Sequence, residues 1–496
     1  RCARCKWEPA MSEPKKTESF AGNVMKYSIA TYLGFGISGA ALIIKGVLPA
    51  ESYAVPASFM AYTMSLMNVG MLGLDQSLLR FYHEPPAGST GRSMFAACTR
   101  LSVLVLLVGG IGSIFFAKPL AAAFGLGASG AGLVPFLFLN AALYMLVRYL
   151  NVLLRLENNV RAYTTETLWM QACLNLIYLL PGFVTQDARA FVLGAVCSFA
   201  GVAVFYWRRA SKGQTKEAPV RGLRPYAHIY RAALPYGIVL APAAILIPLY
   251  RAICLSFLGN YAPAAEQGSF DFAYTLAQLV TTIQAGFSTY WGPYVYAHYR
   301  TEQERIGRIH DLLNLLIFGF FCLLVMFEDI IFIIFPAKSA CLPYFPLMML
   351  AVVFSILCEG TVYGNTIARK PFQDTIGTAV GVAANIAVCA VLVPRFGVMG
   401  AAVGLVAANA TMFLYRTVTG QYYYRTIPSF SRTLCGFLLA VGVAVIGVVF
   451  AHNFIIKFVL TAAILFIYCN IYRAQLYKLW QISMGFVRRY LLHSQA

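Results

Sequence analysis

Two basic residues sit inside apolar runs, where a charge at mid-bilayer costs about 2.5–3.5 kcal/mol on insertion scales. They are Lys45, in LIIKGVLP, and Arg251, in ILIPLYRAICL. A cation so placed either snorkels its head group to the interface or, with its counterpart, converges on one anionic group. Two polar stripes at helical spacing accompany them. One carries Asp271, Tyr274, Gln278, Thr281 and Thr282; the other carries Ser58, Tyr62, Ser65, Asn68 and Asp75. In hydrocarbon such stripes must turn towards neighbouring helices or towards water. Lys45, Arg251, Asn68, Asp271, Tyr274 and Gln278 are therefore the candidate substrate-binding residues. Glu359 and the adjacent acids Glu328 and Asp329 are further proton or cation sites, or simply partners for nearby bases.

Nothing else has the pattern of a catalytic or cofactor site. His83, His228, His298, His310, His452 and His493 show no metal-ligand spacing. No phosphate-cradling glycine loop followed by Lys and Ser or Thr occurs. Cys2 and Cys5 form a lone C-x-x-C without a second pair to complete a zinc site. Most of the 12 cysteines lie in apolar runs, where a thiol behaves as a small hydrophobe. Outward segments are short, apart from the Gly/Ala-rich stretch 118–130, and leave little room for a catalytic constellation. The expectation is no catalytic residue, no metal, no cofactor and no enzymatic activity.

The elements that position these residues follow from composition. Hydrophobic residues make up 59% of the chain and charged ones 11%, against roughly a quarter charged in soluble proteins. With about 20 apolar residues needed per crossing, the expected fold is an all-α polytopic membrane protein of about fourteen transmembrane helices. The spans fall near 24–48, 54–80, 93–117, 131–154, 160–183, 187–207, 231–258, 265–297, 306–335, 341–368, 371–394, 397–422, 430–451 and 454–478. Residues 1–23 form a leader, of which 1–10, ahead of Met11, read as an added or upstream extension.

The net charge of +19 is spread through short loops rather than gathered on one face, which argues against nucleic acid as a partner. Most of the 38 Lys and Arg fall in alternate loops, while the intervening ones hold only Lys118, Arg189, Lys338, Arg395 and Lys457. Cytoplasmic loops carry the basic excess, so both termini are expected in the cytoplasm of a cell-membrane protein.

Spans one to six and seven to twelve recur at an offset near 210 residues. Asn175 corresponds to Asn385, and Asn68 to Gln278. Parallel repeats with a site between them are a transporter architecture. This divides the chain into an N-lobe (24–207), a basic linker (208–230), a C-lobe (231–424), and two last helices with a basic tail (425–496). Pro235, Pro242 and Pro248 are expected to break and kink the seventh span; Gly34, Gly36 and Gly39 soften the first. Asp75, Arg80, Glu359 and Pro242 are the candidate coupling or gating residues.

GLDQSLLRFYHE (Gly73 to Glu84) and ENNVRAYTTETLWMQACLNLIYLL (Glu157 to Leu180), with the repeat and its basic middle loop, resemble the polysaccharide and O-antigen flippases of the MOP superfamily. Asp75 and Arg80 are the most recognisable positions. The resemblance covers essentially the whole chain. It implies two six-helix lobes in a V around a cationic cavity, and transfer of polyprenyl-pyrophosphate-linked oligosaccharide from the cytoplasmic to the outer leaflet. Lys45 and Arg251 would then meet the pyrophosphate, and the polar stripes the sugar hydroxyls. The extra helix pair is similar to the fourteen-helix branch that includes the lipid II flippases, where that pair forms a groove for the prenyl tail. Lipid-linked oligosaccharide, membrane lipid and polysaccharide polymerase machinery are the implied partners. A cation-coupled multidrug antiporter of the same superfamily and a lipid II flippase are the alternatives.

Overall fold

The computed structural model describes residues 20–157, 159–211, 226–368, 370 and 372–477. Among them the secondary structure is helical throughout, with no strand. In chain order the helices are α1 (Phe20–Val47), α2 (Ala54–Met71), α3 (Leu74–Phe81), α4 (Gly91–Phe115), α5 (Ala117–Ala123), α6 (Val134–Leu156), α7 (Val160–Ala172), α8 (Leu179–Thr185) and α9 (Ala188–Ser211). They continue with α10 (Ala227–Tyr261), α11 (Ala264–His298), α12 (Gln303–Ile334), α13 (Phe345–Thr361), α14 (Tyr363–Ile367), α15 (Phe372–Tyr423), α16 (Phe430–Val449) and α17 (Phe454–Ile471). Each expected span lies on one of these helices or on a consecutive run of them.

Ten helices among the described residues are long and apolar enough to cross a membrane, or up to eleven if the bent pair α2–α3 is one span. The outside of the bundle is apolar, with Ile333 at 75% and Phe466 at 71% exposure, as a lipid-facing surface requires. The chain is a multi-pass membrane protein.

Two glycines set the path. α2 and α3 meet at 53°, where Gly73 adopts φ 70, and a Cβ there would lie 2.1 Å from the Gly237 carbonyl oxygen of α10. The bend and the approach of α10 both need a residue without a side chain. α15 has 52 residues, about 78 Å if straight at 1.5 Å per residue, far beyond one bilayer. At Gly397 its backbone turns to φ 52, ψ −128. Arg416 then donates to the Asp374 carbonyl (3.0 Å) and Thr378 Oγ1 (2.6 Å), and Tyr415 to Gln373 Oε1 (2.7 Å). Residues 42 positions apart touch only if α15 folds back on itself as a hairpin, which is how the expected spans 371–394 and 397–422 are built.

One expectation is corrected. α10 runs as a single helix through Pro235, Pro242 and Pro248 and is not broken. Packing against α2, α3 and α15 holds the turns that lose a backbone donor, as neighbours do for prolines in membrane helices. In α7–α8 the departure from α-helix comes without proline at its centre, as a π-helical turn over Cys173–Ile177.

Candidate functional site

Lys45 lies in the last turn of α1, where a cation also suits the helix dipole. It does not snorkel: it is 4% exposed, and its Nζ donates to Asp271 Oδ2 at 2.6 Å and to Thr275 Oγ1 at 3.1 Å. Arg251, from α10, donates through Nη2 to the other carboxylate oxygen of Asp271. The expected convergence of the two cations thus occurs, with a carboxylate of the protein itself as the anion between them.

The face of α11 explains the arrangement. Residues 267, 271, 274–275 and 278 lie one above another on a helix, so the stripe reaches both neighbours. Asp271 is fully buried. Half-buried Tyr274 presents its ring to the Arg251 guanidinium at 5.1 Å from the centroid. Gln267 donates to Ser58 Oγ of α2 (2.6 Å), to the Gly125 carbonyl (3.0 Å) and to the Leu255 carbonyl (3.2 Å).

The triad carries two cations for one carboxylate. In a low-dielectric setting an uncompensated charge is costly, and the charge-assisted bonds to Asp271 offset only one of the two. Arg251 Nε has no hydrogen-bond partner among the described residues. Its side chain is 15% exposed against 5% for Lys45, so Arg251 is the more accessible of the two cations.

The same end of the bundle is closed by a residue whose role the sequence left open. Lys338, in the turn Pro336–Cys341, donates to the Leu48 carbonyl at 2.6 Å, one of the carbonyls a helix end leaves free. Its ammonium lies 5.0 Å from the Tyr53 ring centroid and 5.8 Å from that of Phe272. Lys338 was legible only as one of the few cations on the sparse side, and Gln267 and Thr275 were not singled out by the sequence.

The remaining candidates are not brought into this group. Asn68 donates to the Met64 carbonyl of its own helix (3.0 Å), and Gln278 is half-buried two turns along α11 from Asp271. Beyond the bend at Gly73, Asp75 accepts from Gln76 Nε2 (2.8 Å), and Arg80 pairs with Glu84 at the surface (2.9 Å). Pro242 is half-buried inside α10. Glu359 stands on α13, and its side chain lies outside the described residues. The repeat-related pair diverges too: Asn175 bonds back to Gln171 within its own helix, whereas Asn385 of α15 donates to the Tyr250 carbonyl of α10 (2.8 Å).

No protein-family profile and no curated protein matches the chain. Solved structures do. The lipid II flippase MurJ in an inward closed conformation superposes with a TM-score of 0.62 at 13% identity, covering 91% of this chain and 100% of that one. A multidrug resistance MATE family transporter of the MOP superfamily gives 0.47 at 14% identity in its inward-facing form, covering 80% of this chain and 94% of that one. Its outward-facing form gives 0.44 at 16%, covering 81% and 95%. At this identity the likeness to the MurJ structure is one of fold.

Proposed function

We propose that this protein moves a polyprenyl-pyrophosphate-linked oligosaccharide from the cytoplasmic to the outer leaflet by alternating access. In this reading fourteen crossings form two six-helix lobes, 24–207 and 231–424, with α16 and α17 outside the repeat. The observation that carries it is the junction of α1, α10 and α11, where Lys45 and Arg251 share one carboxylate and keep a positive excess. A diphosphate has the charge to satisfy that excess and the geometry to accept from a guanidinium on two oxygens. The stripe around Tyr274 and Gln278 offers hydrogen bonds to sugar hydroxyls, while the prenyl tail stays in lipid. Asp75, Arg80, Glu359 and Pro242 serve coupling or gating, and a polysaccharide polymerase takes the product.

The fold shared with a lipid II flippase makes lipid II the first alternative cargo. A cation-coupled drug antiporter is less well served, because the buried acid of the junction is already held by two bases and offers an organic cation no free charge.

The test reconstitutes the purified protein in liposomes with a fluorescent polyprenyl-pyrophosphate oligosaccharide and follows its appearance in the opposite leaflet. Transfer that requires Lys45 and Arg251 supports the reading. Absence of transfer, with gradient-driven efflux of amphiphilic dyes instead, turns the assignment to the drug antiporter.

A further inference from the structure

A second acid is buried apart from the triad, on α7 of the N-terminal half. Glu166, on α7, has no exposed surface. Its Oε2 accepts from Asn151 Nδ2 of α6 at 2.5 Å, and the same amide donates to Thr167 Oγ1 at 2.8 Å. Glu166 Oε1 has no hydrogen-bond partner among the described residues. Among the described residues no lysine, arginine or histidine pairs with this carboxyl. Among the described residues every other buried acid or lysine, Lys45 with Asp271, Lys457 with Glu328 and Asp311 with Arg432, meets an opposite charge directly, apart from Lys338, whose ammonium meets a carbonyl and two ring faces.

An ionised carboxylate with one neutral amide donor is not stable in such a place, because desolvation is not compensated. Among the described residues, the titratable and charged groups close enough to act on Glu166 electrostatically are Tyr144 and Arg148 of α6, Tyr206 of α9 and Cys173 of the π-helical turn. Tyr206 is engaged with Thr165 Oγ1 at 2.9 Å. Arg148 stands apart from the rest. It precedes Asn151 by one turn on the same face of α6, is half-buried, and makes no ion pair among the described residues. The π-helical turn begins two turns beyond Glu166, and such turns mark places where a helix yields.

We propose that Glu166 is a proton-binding site, and that when its proton leaves for bulk water Arg148 replaces Asn151 as the partner of the carboxylate. Loading and unloading one proton then switches the α6–α7 contact between an amide-held acid and an ion pair. This couples proton occupancy to helix packing at a contact separate from the Asp271 triad, and it holds for whatever cargo is carried.

Infrared spectroscopy of the purified full chain in lipid nanodiscs tests this without any cargo. The carbonyl band of a protonated carboxylic acid should be present at pH 7, weaken on alkaline titration, and lose the Glu166 component in E166Q, which keeps an acceptor for Asn151. In R148Q the band should persist to pH values higher by about one unit or more, because the waiting cation is gone. A band at pH 7 that is unchanged in E166Q overturns the proton site. A titration that is unchanged in R148Q overturns the exchange with Arg148.

Discussion

Two buried ion triads stand at different places in this bundle with opposite charge balance. At the α1–α10–α11 junction, Lys45 and Arg251 share Asp271, and one positive charge is left over. Between α12 and α17, Lys457 lies 2.9 Å from Glu328 and 2.6 Å from Asp329, and one negative charge is left over. The second triad ties the last hairpin to α12, and its lysine and Glu328 have no exposed side-chain surface. A second tie between the same elements runs through Asp311 of α12, which accepts from Arg432 of α16 (3.2 Å) and from Gln475 (3.0 Å). The first triad joins helices 226 positions apart and keeps one cation within reach of solvent. Similar chemistry thus acts as a fastening where all partners come from neighbouring helices of one end of the chain. At the first triad the surplus is instead a cation that keeps some exposure, which is what the proposed anion contact needs.

The comparison breaks most sharply at Arg251. Arg251→Ala leaves Lys45 and Asp271 as a neutral pair, so the protein should remain folded while leaflet transfer is abolished. Normal transfer at normal expression would remove the phosphate contact from the proposal. Asp271→Asn goes the other way and leaves two cations without their acid. Stability in detergent should fall by about 3–5 kcal/mol, the usual loss when one partner of a buried pair is removed. Added inorganic pyrophosphate should raise the melting temperature more in this variant than in the wild type; an equal response in both would show that the junction does not take anions.

Lys457→Met should cost about as much, again about 3–5 kcal/mol, but pyrophosphate should not restore it. Adding Glu328→Leu and Asp329→Asn should recover most of the loss, because apolar packing replaces a buried pair at little net cost. Failure to recover would mean that the triad does more than fasten.

A smaller effect concerns Lys338. Burial pushes its ammonium down to about 8 from an ordinary 10.5. The unfolded chain then binds the proton more tightly, so this residue's contribution is lost as pH falls through 8 and grows as pH rises towards 10.5. The melting temperature of the wild type relative to Lys338→Met should climb across that window, and a flat difference would remove Lys338 from the closure. The smallest effect is at Tyr274. Tyr274→Phe should transfer normally, while Tyr274→Leu should slow transfer about twofold to fivefold through loss of the ring face under Arg251.

Much of this was legible in the sequence. Lys45 and Arg251 stood out because a charge in an apolar run needs a reason, and the helices lie where the apolar windows put them. Asp271 was visible as part of a stripe and as a candidate substrate contact; its pairing with both cations was not. Periodicity gives the face of a helix, not the helix that the face meets. The prolines of α10 misled for a related cause: their local effect is to break a helix, and the packing of α2, α3 and α15 overrides it. Glu166 went unnoticed because a single acid near the start of an amphipathic span looks like an interfacial residue until its burial is known.

Composition and spacing alone determined that the chain is a helical membrane protein, which segments are helical and where cations stand in apolar surroundings. These are properties of one segment at a time, set by the cost of exposing backbone and charge to hydrocarbon. Tertiary structure decided which charge answers which, that α15 turns back at Gly397, and that Glu166 is buried without an ion pair among the described residues. Those outcomes depend on contacts between residues tens to hundreds of positions apart, and desolvation in the packed interior, not local sequence, sets their energies.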